Sequence, residues 1–227
     1  MPEDGTDWVK NIVDPQVGND IYIAEITLVE VISGMTLDQF FKTNIFEPLG
    51  MKDTYFTVPK EKASRLVIMY TEDSIGHLVR STGGLLNGPA TPDYPLLEKK
   101  YFSGGAGLSS TIYDYAVFLQ MLLNGGEYNG KRILSRNTVR LMTMNQIGDI
   151  PYRGYDKFGL GFQIVSEKNG DVPAQAGSYS WGGAYATSYW VDPKEKMVML
   201  FYRQLQRTTR GGLADNFRVL VYQALND

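Results

Sequence analysis

Apolar residues in the first 50 positions recur at helical spacing. Over residues 21–32 they occur every three or four positions, and Ser33-Gly34 predicts the end of this helix, because glycine adopts the left-handed conformation of a C-cap without strain. Thr36-Leu37-Asp38-Gln39 has the pattern of a capping box, in which the first and fourth side chains each bind a free backbone N–H. This pattern predicts a second helix that stops before Pro48.

Two further helices are predicted in the middle of the chain. Thr111-Ile112-Tyr113-Asp114 repeats the capping-box pattern before an amphipathic segment over residues 115–124. Ser135 then predicts the N-cap of a helix over residues 137–145.

Residues 57–100 have a different character from these helices. Glycine and proline interrupt every periodic run there, so we predict a loop-rich excursion. Short strands are expected within it at residues 66–70 and 77–80.

After Pro151 the pattern indicates strands. They are predicted over residues 158–165, 184–191 and 197–203, and an amphipathic helix over residues 213–225 follows them. A helical part followed by an antiparallel sheet with a terminal helix is an α+β order. We expect a helical subdomain over residues 1–150 and a sheet subdomain over residues 151–227 that together form one structural unit.

Composition excludes several classes of protein. The chain has 227 residues, of which 43% are hydrophobic, and this is enough to form a buried core. Its net charge is -3 with no basic block, which argues against nucleic-acid binding. There is no cysteine, and the acidic residues show no spacing suited to a metal, so we expect no cofactor. The sequence shows no signal peptide and no apolar run long enough to span a bilayer, so its location in the cell stays open.

Six motifs occur in a familiar order and spacing. They are Ile32-Ser33-Gly34-Met35-Thr36-Leu37, Ile45-Phe46-Glu47-Pro48-Leu49-Gly50-Met51-Lys52-Asp53-Thr54, Gly104-Gly105-Ala106-Gly107-Leu108-Ser109-Ser110-Thr111, Met121-Leu122-Leu123-Asn124-Gly125-Gly126, Trp181-Gly182-Gly183 and Asp192-Pro193. Together they resemble the β-lactamase-related serine hydrolases, which include class C β-lactamases, D-alanyl-D-alanine carboxypeptidases and β-lactamase-like carboxylesterases. The resemblance runs from about Trp8 to the C-terminus. It implies an α+β fold of the β-lactamase/transpeptidase type.

The first catalytic motif of that family is Ser-x-x-Lys, in which the lysine amine takes the proton of the nucleophilic serine. No serine in this sequence is followed three positions later by lysine. The resemblance puts the motif upstream of every matched segment. We therefore expect the N-terminal section of the fold to be missing from this chain.

The second motif, Tyr-x-Asn, relays protons, and the resemblance aligns it with Val17-Gly18-Asn19. Asn19 is thereby a candidate substrate-binding residue. A valine side chain cannot transfer a proton, however, so Tyr22 is a candidate catalytic residue if the register slips.

The third motif of the family is the strand that docks substrate, and the resemblance assigns it to Trp181-Gly182-Gly183. A carbonyl under attack develops negative charge on its oxygen, which backbone N–H donors stabilise. The resemblance implies that Trp181, Gly182, Gly183 and Ala184 bind substrate, with the N–H of Ala184 as one oxyanion donor. The second donor would belong to the nucleophile.

If the N-terminal section of the fold is missing, we also expect the chain to bind a partner. In the fold that the resemblance implies, the first strands pair beside the last ones, so the sheet edge near residues 197–203 is expected to be unpaired. Unpaired edges seek partners. We expect either a homodimer or a complementary N-terminal segment.

Three functional hypotheses follow, all with a small acyl ester or amide as the ligand. The first is a hydrolase that acts through an acyl-enzyme with a nucleophile from outside this sequence. The second is a catalytically inactive homologue that keeps the cleft for binding, which Val17 favours. The third is an esterase that uses a serine outside the family motif together with Tyr22. The candidate serines are Ser103, Ser109, Ser178 and Ser180.

Overall fold

The computed structural model describes residues 28–82, 92–99, 101–105, 107–169, 174–206, 208–209 and 212–225. The described residues group into two compact units. One contains the described residues before Arg65 together with Pro95–Thr111, and the other contains Arg65–Tyr94 together with those from Ile112 onward. The division at residue 150 that the sequence suggests stays a prediction.

The first unit is built on consecutive helical turns. Residues 28–33 are helical, and the chain leaves the helix at Gly34 with φ 68°, as predicted. The helix α1 (Leu37–Phe41) continues into a π-helical turn (Lys42–Phe46) and then into α2 (Glu47–Leu49). Short 3₁₀ turns follow at Lys60–Arg65 and Tyr94–Leu96.

Two predictions for this helical run are wrong. The helix does not stop before Pro48, because the proline lies in the first turn of α2, where a missing N–H leaves little unsatisfied. The capping box does not form either. Thr36 Oγ1 donates to Asp38 Oδ1 (2.5 Å), and the N–H of Leu37 donates to Glu30 Oε1 (2.8 Å).

The second unit carries the strands and the longer helices. Its strands are β1 (Tyr70–Glu72), β2 (Leu78–Arg80), β3 (Glu127–Tyr128), β4 (Lys131–Arg132), β5 (Lys157–Phe158), β6 (Gln163–Ile164), β7 (Tyr179–Gly182), β8 (Ser188–Asp192), β9 (Met197–Phe201) and β10 (Leu205–Gln206). Its helices are α3 (Ile112–Leu123), α4 (Arg136–Met142) and α5 (Leu213–Gln223). A small sheet has the order β10-β1-β2, and a second small sheet pairs β3 with β4.

The main sheet is antiparallel, in the order β5-β6-β7-β8-β9, and helices cover both of its faces. On one face Tyr115 of α3 lies 5.2 Å from the ring of Tyr189. On the other face Phe217 of α5 stacks on Phe201 at 5.3 Å. Two covered faces explain why β9 is a continuous apolar run and does not alternate with polar residues.

The helices of this unit were better predicted than its strands. The helix α3 begins directly after Thr111, and the Oγ of Ser135 accepts the N–H of Thr138 (3.0 Å) at the start of α4, as predicted. The predicted strand over residues 158–165 is wrong, because it is two strands, β5 and β6. The chain reverses between them at Gly161, where φ is 91°.

The predicted strand over residues 184–191 is wrong at its first half. Residues 183–187 form a turn, and the strand β8 begins only at Ser188. The preceding strand, β7, ends at Gly182. The apolar character of residues 184–186 therefore belongs to a hairpin turn between two strands.

The strand β9 lies at the edge of the main sheet. In the described part of the chain it pairs with β8 alone, in agreement with the unpaired edge expected near residues 197–203. The homodimer or complementary segment expected there stays a prediction. Across the described ranges, no helix combines the length and the apolar character that crossing a membrane requires.

Candidate substrate-binding strand

The sequence Trp181-Gly182-Gly183 lies in the hairpin of β7 and β8, over residues 179–192. Its two strands pair in register from Tyr179 with Val191 to Gly182 with Ser188. Tyr179 and Val191 are buried, whereas Trp181 has 36% of its surface exposed. The hairpin is thus anchored in the core at one end and presents Trp181 at the other.

The turn of this hairpin leaves the backbone N–H groups of Ala184 and Tyr185 without a partner among the described residues. The N–H of Gly183 donates to the carbonyl of Thr187 (2.9 Å), and the N–H of Ala186 donates to the carbonyl of Gly183 (3.0 Å). Ala186 completes the turn with φ 63°, an uncommon conformation for a residue with a side chain. Among the described residues, the N–H of Ala184 has no hydrogen-bond partner.

The turn is also fixed from outside. The carbonyl of Tyr185 accepts the N–H of Leu205 at the start of β10 (3.1 Å), and the Nε of Arg203 lies 3.4 Å from the carbonyl of Ala186. These contacts tie the turn to the segment that follows β9. The direction of the Ala184 N–H is therefore set by the surrounding backbone.

Both glycines of the motif lie where a Cβ would crowd Thr187 in the turn. A Cβ on Gly183 would overlap Thr187 Oγ1, and a Cβ on Gly182 would lie 3.1 Å from the carbonyl oxygen of Thr187. Neither glycine has a positive φ, so the reason is close approach and not backbone conformation. The resemblance assigned these glycines to substrate binding, whereas the sequence carries no signal for their contact with Thr187.

An aromatic cluster surrounds the exposed face of Trp181. Phe158 meets the Trp181 ring edge-on at 5.2 Å, and Tyr152 lies 5.2 Å from Phe158. The guanidinium carbon of Arg153 lies 5.1 Å from the centre of the Trp181 ring. Sequence reasoning missed Arg153, whose one signal is its place in the turn sequence Pro151-Tyr152-Arg153-Gly154.

Four tyrosines on or near the β7–β8 hairpin are held in their neutral form. Burial raises the pKa values of Tyr179, Tyr189, Tyr202 and Tyr115. A phenol with a raised pKa keeps its proton at neutral pH. None of these four tyrosines is therefore a ready proton acceptor for a hydroxyl nucleophile.

The structure describes some of the site residues predicted from the sequence and not others. The residues Trp181, Gly182, Gly183 and Ala184 lie where β7 ends and the turn begins. Asn19 and Tyr22 lie outside the described residues.

The four candidate serines have no activating neighbour in the described ranges. No lysine, arginine or histidine side chain there forms a hydrogen bond with the hydroxyls of Ser103, Ser109, Ser178 or Ser180. Ser178 is also buried, at the start of the hairpin. Within the same ranges, no group of three acidic or histidine side chains could hold a metal.

The main sheet has five antiparallel strands with helices on both faces, and its β7–β8 hairpin carries the Trp181-Gly182-Gly183 sequence. A family model described as Beta-lactamase matches residues 26–224. The chain therefore belongs to the Beta-lactamase family.

Relatives and a solved structure agree with this assignment. The chain is 30% identical over 190 residues to Protein Rv1367c of Mycobacterium tuberculosis, covering 78% of this chain and 45% of that one. It is 28% identical over 183 residues to a Salmonella typhi protein named "Putative D-alanyl-D-alanine carboxypeptidase", covering 76% of this chain and 41% of that one. Simvastatin synthase (LovD) from Aspergillus terreus has the same fold, with a TM-score of 0.74 at 23% identity over 92% of this chain and 55% of LovD. The chain thus spans about half the length of the proteins it matches.

Proposed function

We propose that this chain provides the substrate-docking wall of an acyl-transfer site that hydrolyses small esters or amides through an acyl-enzyme. In this proposal the Trp181-Gly182-Gly183 strand positions the acyl group and the N–H of Ala184 stabilises its oxyanion. The nucleophile is a Ser-x-x-Lys pair that this sequence does not contain. It is supplied by another polypeptide segment.

The observation that carries the proposal is the N–H of Ala184. A hairpin turn normally uses its inward N–H groups to close itself, as Gly183 and Ala186 do here. The N–H groups of Ala184 and Tyr185 have no such bond among the described residues, and that of Ala184 is the one that directly follows the Trp181-Gly182-Gly183 sequence. A fixed donor without a partner at the end of a strand is the arrangement that oxyanion stabilisation requires.

The names of the relatives support an acyl substrate. The Salmonella typhi relative is named for peptide hydrolysis and LovD for a synthase reaction. Nucleophilic catalysis at a carbonyl links such reactions, because an acyl-enzyme can pass its acyl group to water or to another acceptor.

A binding protein without catalytic activity is the second candidate. Val17 occupies the position that the family resemblance gives to a proton-relaying tyrosine, and the tyrosines behind β7 have raised pKa values. In this case the same strand would bind an acyl ligand without turning it over. An esterase based on Ser103, Ser109, Ser178 or Ser180 lacks comparable support, because no described basic group activates these hydroxyls.

Turnover of a p-nitrophenyl short-chain ester and of nitrocefin, with and without a complementing fragment, separates these functions. The fragment is an N-terminal section of a family member, chosen because its own sequence contains the Ser-x-x-Lys motif. The matched control is the same fragment with the serine of its Ser-x-x-Lys motif replaced by alanine. A fluorophosphonate probe reports which serine becomes labelled.

The proposal predicts no turnover by the chain alone, turnover with the active fragment and none with the serine variant. Binding of an ester without turnover in any mixture would support the inactive homologue. Labelling of a serine within this chain, with turnover by the chain alone, would overturn the proposal in favour of an esterase of a different design.

A further inference from the structure

We propose that Asn129, in the turn between β3 and β4, is a modification site at which the asparagine converts to isoaspartate through a cyclic imide. The conversion is a reaction of the chain with water and needs no enzyme. It is separate from the proposed acyl-transfer function, and neither depends on the other.

The conversion joins two neighbouring residues. The backbone nitrogen of Gly130 loses its proton and attacks Cγ of Asn129, so that an N–Cγ bond forms, the Cγ–Nδ2 bond breaks and ammonia leaves. Water then opens the imide ring. Addition at Cγ gives aspartate, whereas addition at the backbone carbonyl carbon gives isoaspartate, whose main chain runs through the side-chain carbon. A glycine after the asparagine favours the attack, because no Cβ obstructs the approach of its nitrogen.

The same pair of residues recurs along the chain, at Asn87-Gly88, Asn124-Gly125, Asn129-Gly130 and Asn169-Gly170. Asn87 lies outside the described residues. The side-chain amide of Asn169 donates to Oδ1 of the buried Asp156 (2.6 Å), which holds this amide in place. Because the reacting residues are identical, the hydrogen bonds and the space around each pair set the difference in rate between them.

The pair at Asn124 is restrained on both sides of the reaction. The N–H of Gly125 donates to the carbonyl of Leu122 (2.9 Å), and Oδ1 of Asn124 accepts Nε2 of Gln120 (2.9 Å). These bonds must open before the nitrogen can lose its proton and before the side chain can turn toward it. The folded structure therefore slows the conversion of Asn124.

The pair at Asn129 has no such restraint. Among the described residues, neither the side-chain amide of Asn129 nor the N–H of Gly130 has a hydrogen-bond partner, and both residues are exposed. A Cβ on Gly130 would meet no atom within 4 Å, so the space beside this residue is open. The two reacting groups are thus accessible to each other and to water.

The hairpin around this turn is short. Asn129 and Gly130 have φ 47° and 72°, the left-handed pair that closes a turn of this kind. The backbone must rotate out of this conformation to bring the nitrogen of Gly130 onto Cγ. Since β3 and β4 have two residues each, few hydrogen bonds oppose the rotation.

The product alters the turn. Isoaspartate adds a carbon atom to the backbone and a negative charge at position 129. The tight turn places Tyr128 opposite Lys131, and a longer link does not preserve this register. The modified chain therefore differs both in net charge and in the pairing of β3 with β4.

The test follows the whole chain in mildly alkaline buffer made with ¹⁸O-water, which labels every newly opened imide. Peptide mapping by mass spectrometry gives the rate at each Asn-Gly pair, and labelling with an isoaspartyl methyltransferase separates isoaspartate from aspartate. Asn124 is the matched control within the same molecule, and the chain unfolded in urea is the control for the flanking sequence. We expect Asn129 to convert at least about fivefold faster than Asn124 and Asn169 in the folded chain, because their hydrogen bonds must open first, and all three to convert at similar rates in urea.

Each result decides the proposal. Faster conversion of Asn129 in the folded chain, with isoaspartate among the products and no such preference in urea, supports it. Equal rates in the folded chain, aspartate as the sole product, or no conversion at Asn129 where the unfolded chain converts, overturns it. A preference that persists unchanged in urea also overturns it, because the cause would then lie in the flanking sequence and not in the turn.

Discussion

Two hairpins of the second unit, β1–β2 and β7–β8, show how similar sequence patterns produce different structures. The β7–β8 hairpin buries Trp190 and Val191, which are 7% and 0% exposed. The β1–β2 hairpin exposes its apolar residues, with Leu78 at 50% and Val79 at 40%. Helices cover both faces of the β7–β8 hairpin, whereas every residue of β2 is exposed.

The turns of the two hairpins differ in which groups support them. In the β1–β2 hairpin, Asp73 Oδ1 accepts the N–H groups of Ile75 (3.0 Å) and His77 (2.8 Å), so a side chain satisfies the turn locally. The same two backbone hydrogen bonds close both turns, but in the β7–β8 hairpin the added support comes from residues 203–205, outside the turn. A turn that is fixed by its surroundings can hold a donor without a partner, and this makes the β7–β8 hairpin the better candidate for a site.

Truncating the core of each hairpin gives the largest expected contrast. Trp190→Ala removes a ring that packs against Met199 and Ala214, and it should lower the free energy of unfolding by about 3–5 kcal/mol. Val79→Ala, in the β1–β2 hairpin, should change it by less than about 0.5 kcal/mol. Urea unfolding followed by circular dichroism measures both, and equal losses would contradict the contrast.

The hydrogen bond at the end of β8 should give the next largest effect. Tyr222 donates to Asp192 Oδ2 (2.6 Å), and Asp192 is fully buried. Tyr222→Phe leaves this carboxylate without one of its donors, so we expect a loss of about 1.5–3 kcal/mol of unfolding free energy at pH 7.

The same variant also predicts a pH dependence. Burial, and then the hydrogen bond to Asp192, raise the pKa of Tyr222 above its ordinary value of 10.0. The stability that the neutral hydroxyl provides is therefore fully present below pH 10 and is lost as the pH rises through the folded-state pKa. The wild-type chain should approach the variant in stability above pH 10, and a constant difference would be evidence against this coupling.

Substituting one glycine in each turn, Gly183 and Gly76, separates the cost of steric overlap from the cost of backbone strain. Gly183→Ala places a Cβ against Thr187 Oγ1 and should cost about 1–3 kcal/mol, much of which the double variant with Thr187→Ala should recover. Gly183→Ala should also weaken binding of a short-chain ester. No recovery in the double variant would show that Thr187 is not the reason for this glycine.

Gly76→Ala provides the smaller effect of the two glycine substitutions and the matched case. A Cβ there meets no atom within 4 Å, but φ is 85°, so the cost should be about 1 kcal/mol of strain. It should leave binding of a short-chain ester unchanged, because the residue lies in the other hairpin. Loss of binding on this substitution would mean that the β1–β2 hairpin takes part in the site.

Features encoded by neighbouring residues could be predicted from the sequence. The end of the first helix at Gly34, the cap at Ser135 and the strand Leu78–Arg80 are of this kind. The motif Trp181-Gly182-Gly183 was located in the same way, through a resemblance carried by consecutive residues.

Features set by distant contacts could not be predicted. The strand expected over residues 158–165 reverses at Gly161, and Gly159 before the reversal packs so closely that a Cβ would overlap the carbonyl oxygen of Met142. Arg153 was missed because its relation to Trp181 exists only after the main sheet has formed.

The most direct test of the docking wall is amide hydrogen exchange at two neighbouring residues. The N–H of Gly183 is bonded to Thr187, whereas the N–H of Ala184 has no partner among the described residues. We predict that Ala184 exchanges at least about tenfold faster than Gly183, relative to their intrinsic rates. Equal protection of the two amides would mean that the N–H of Ala184 is already bonded within the protein, and it would contradict the proposed oxyanion donor.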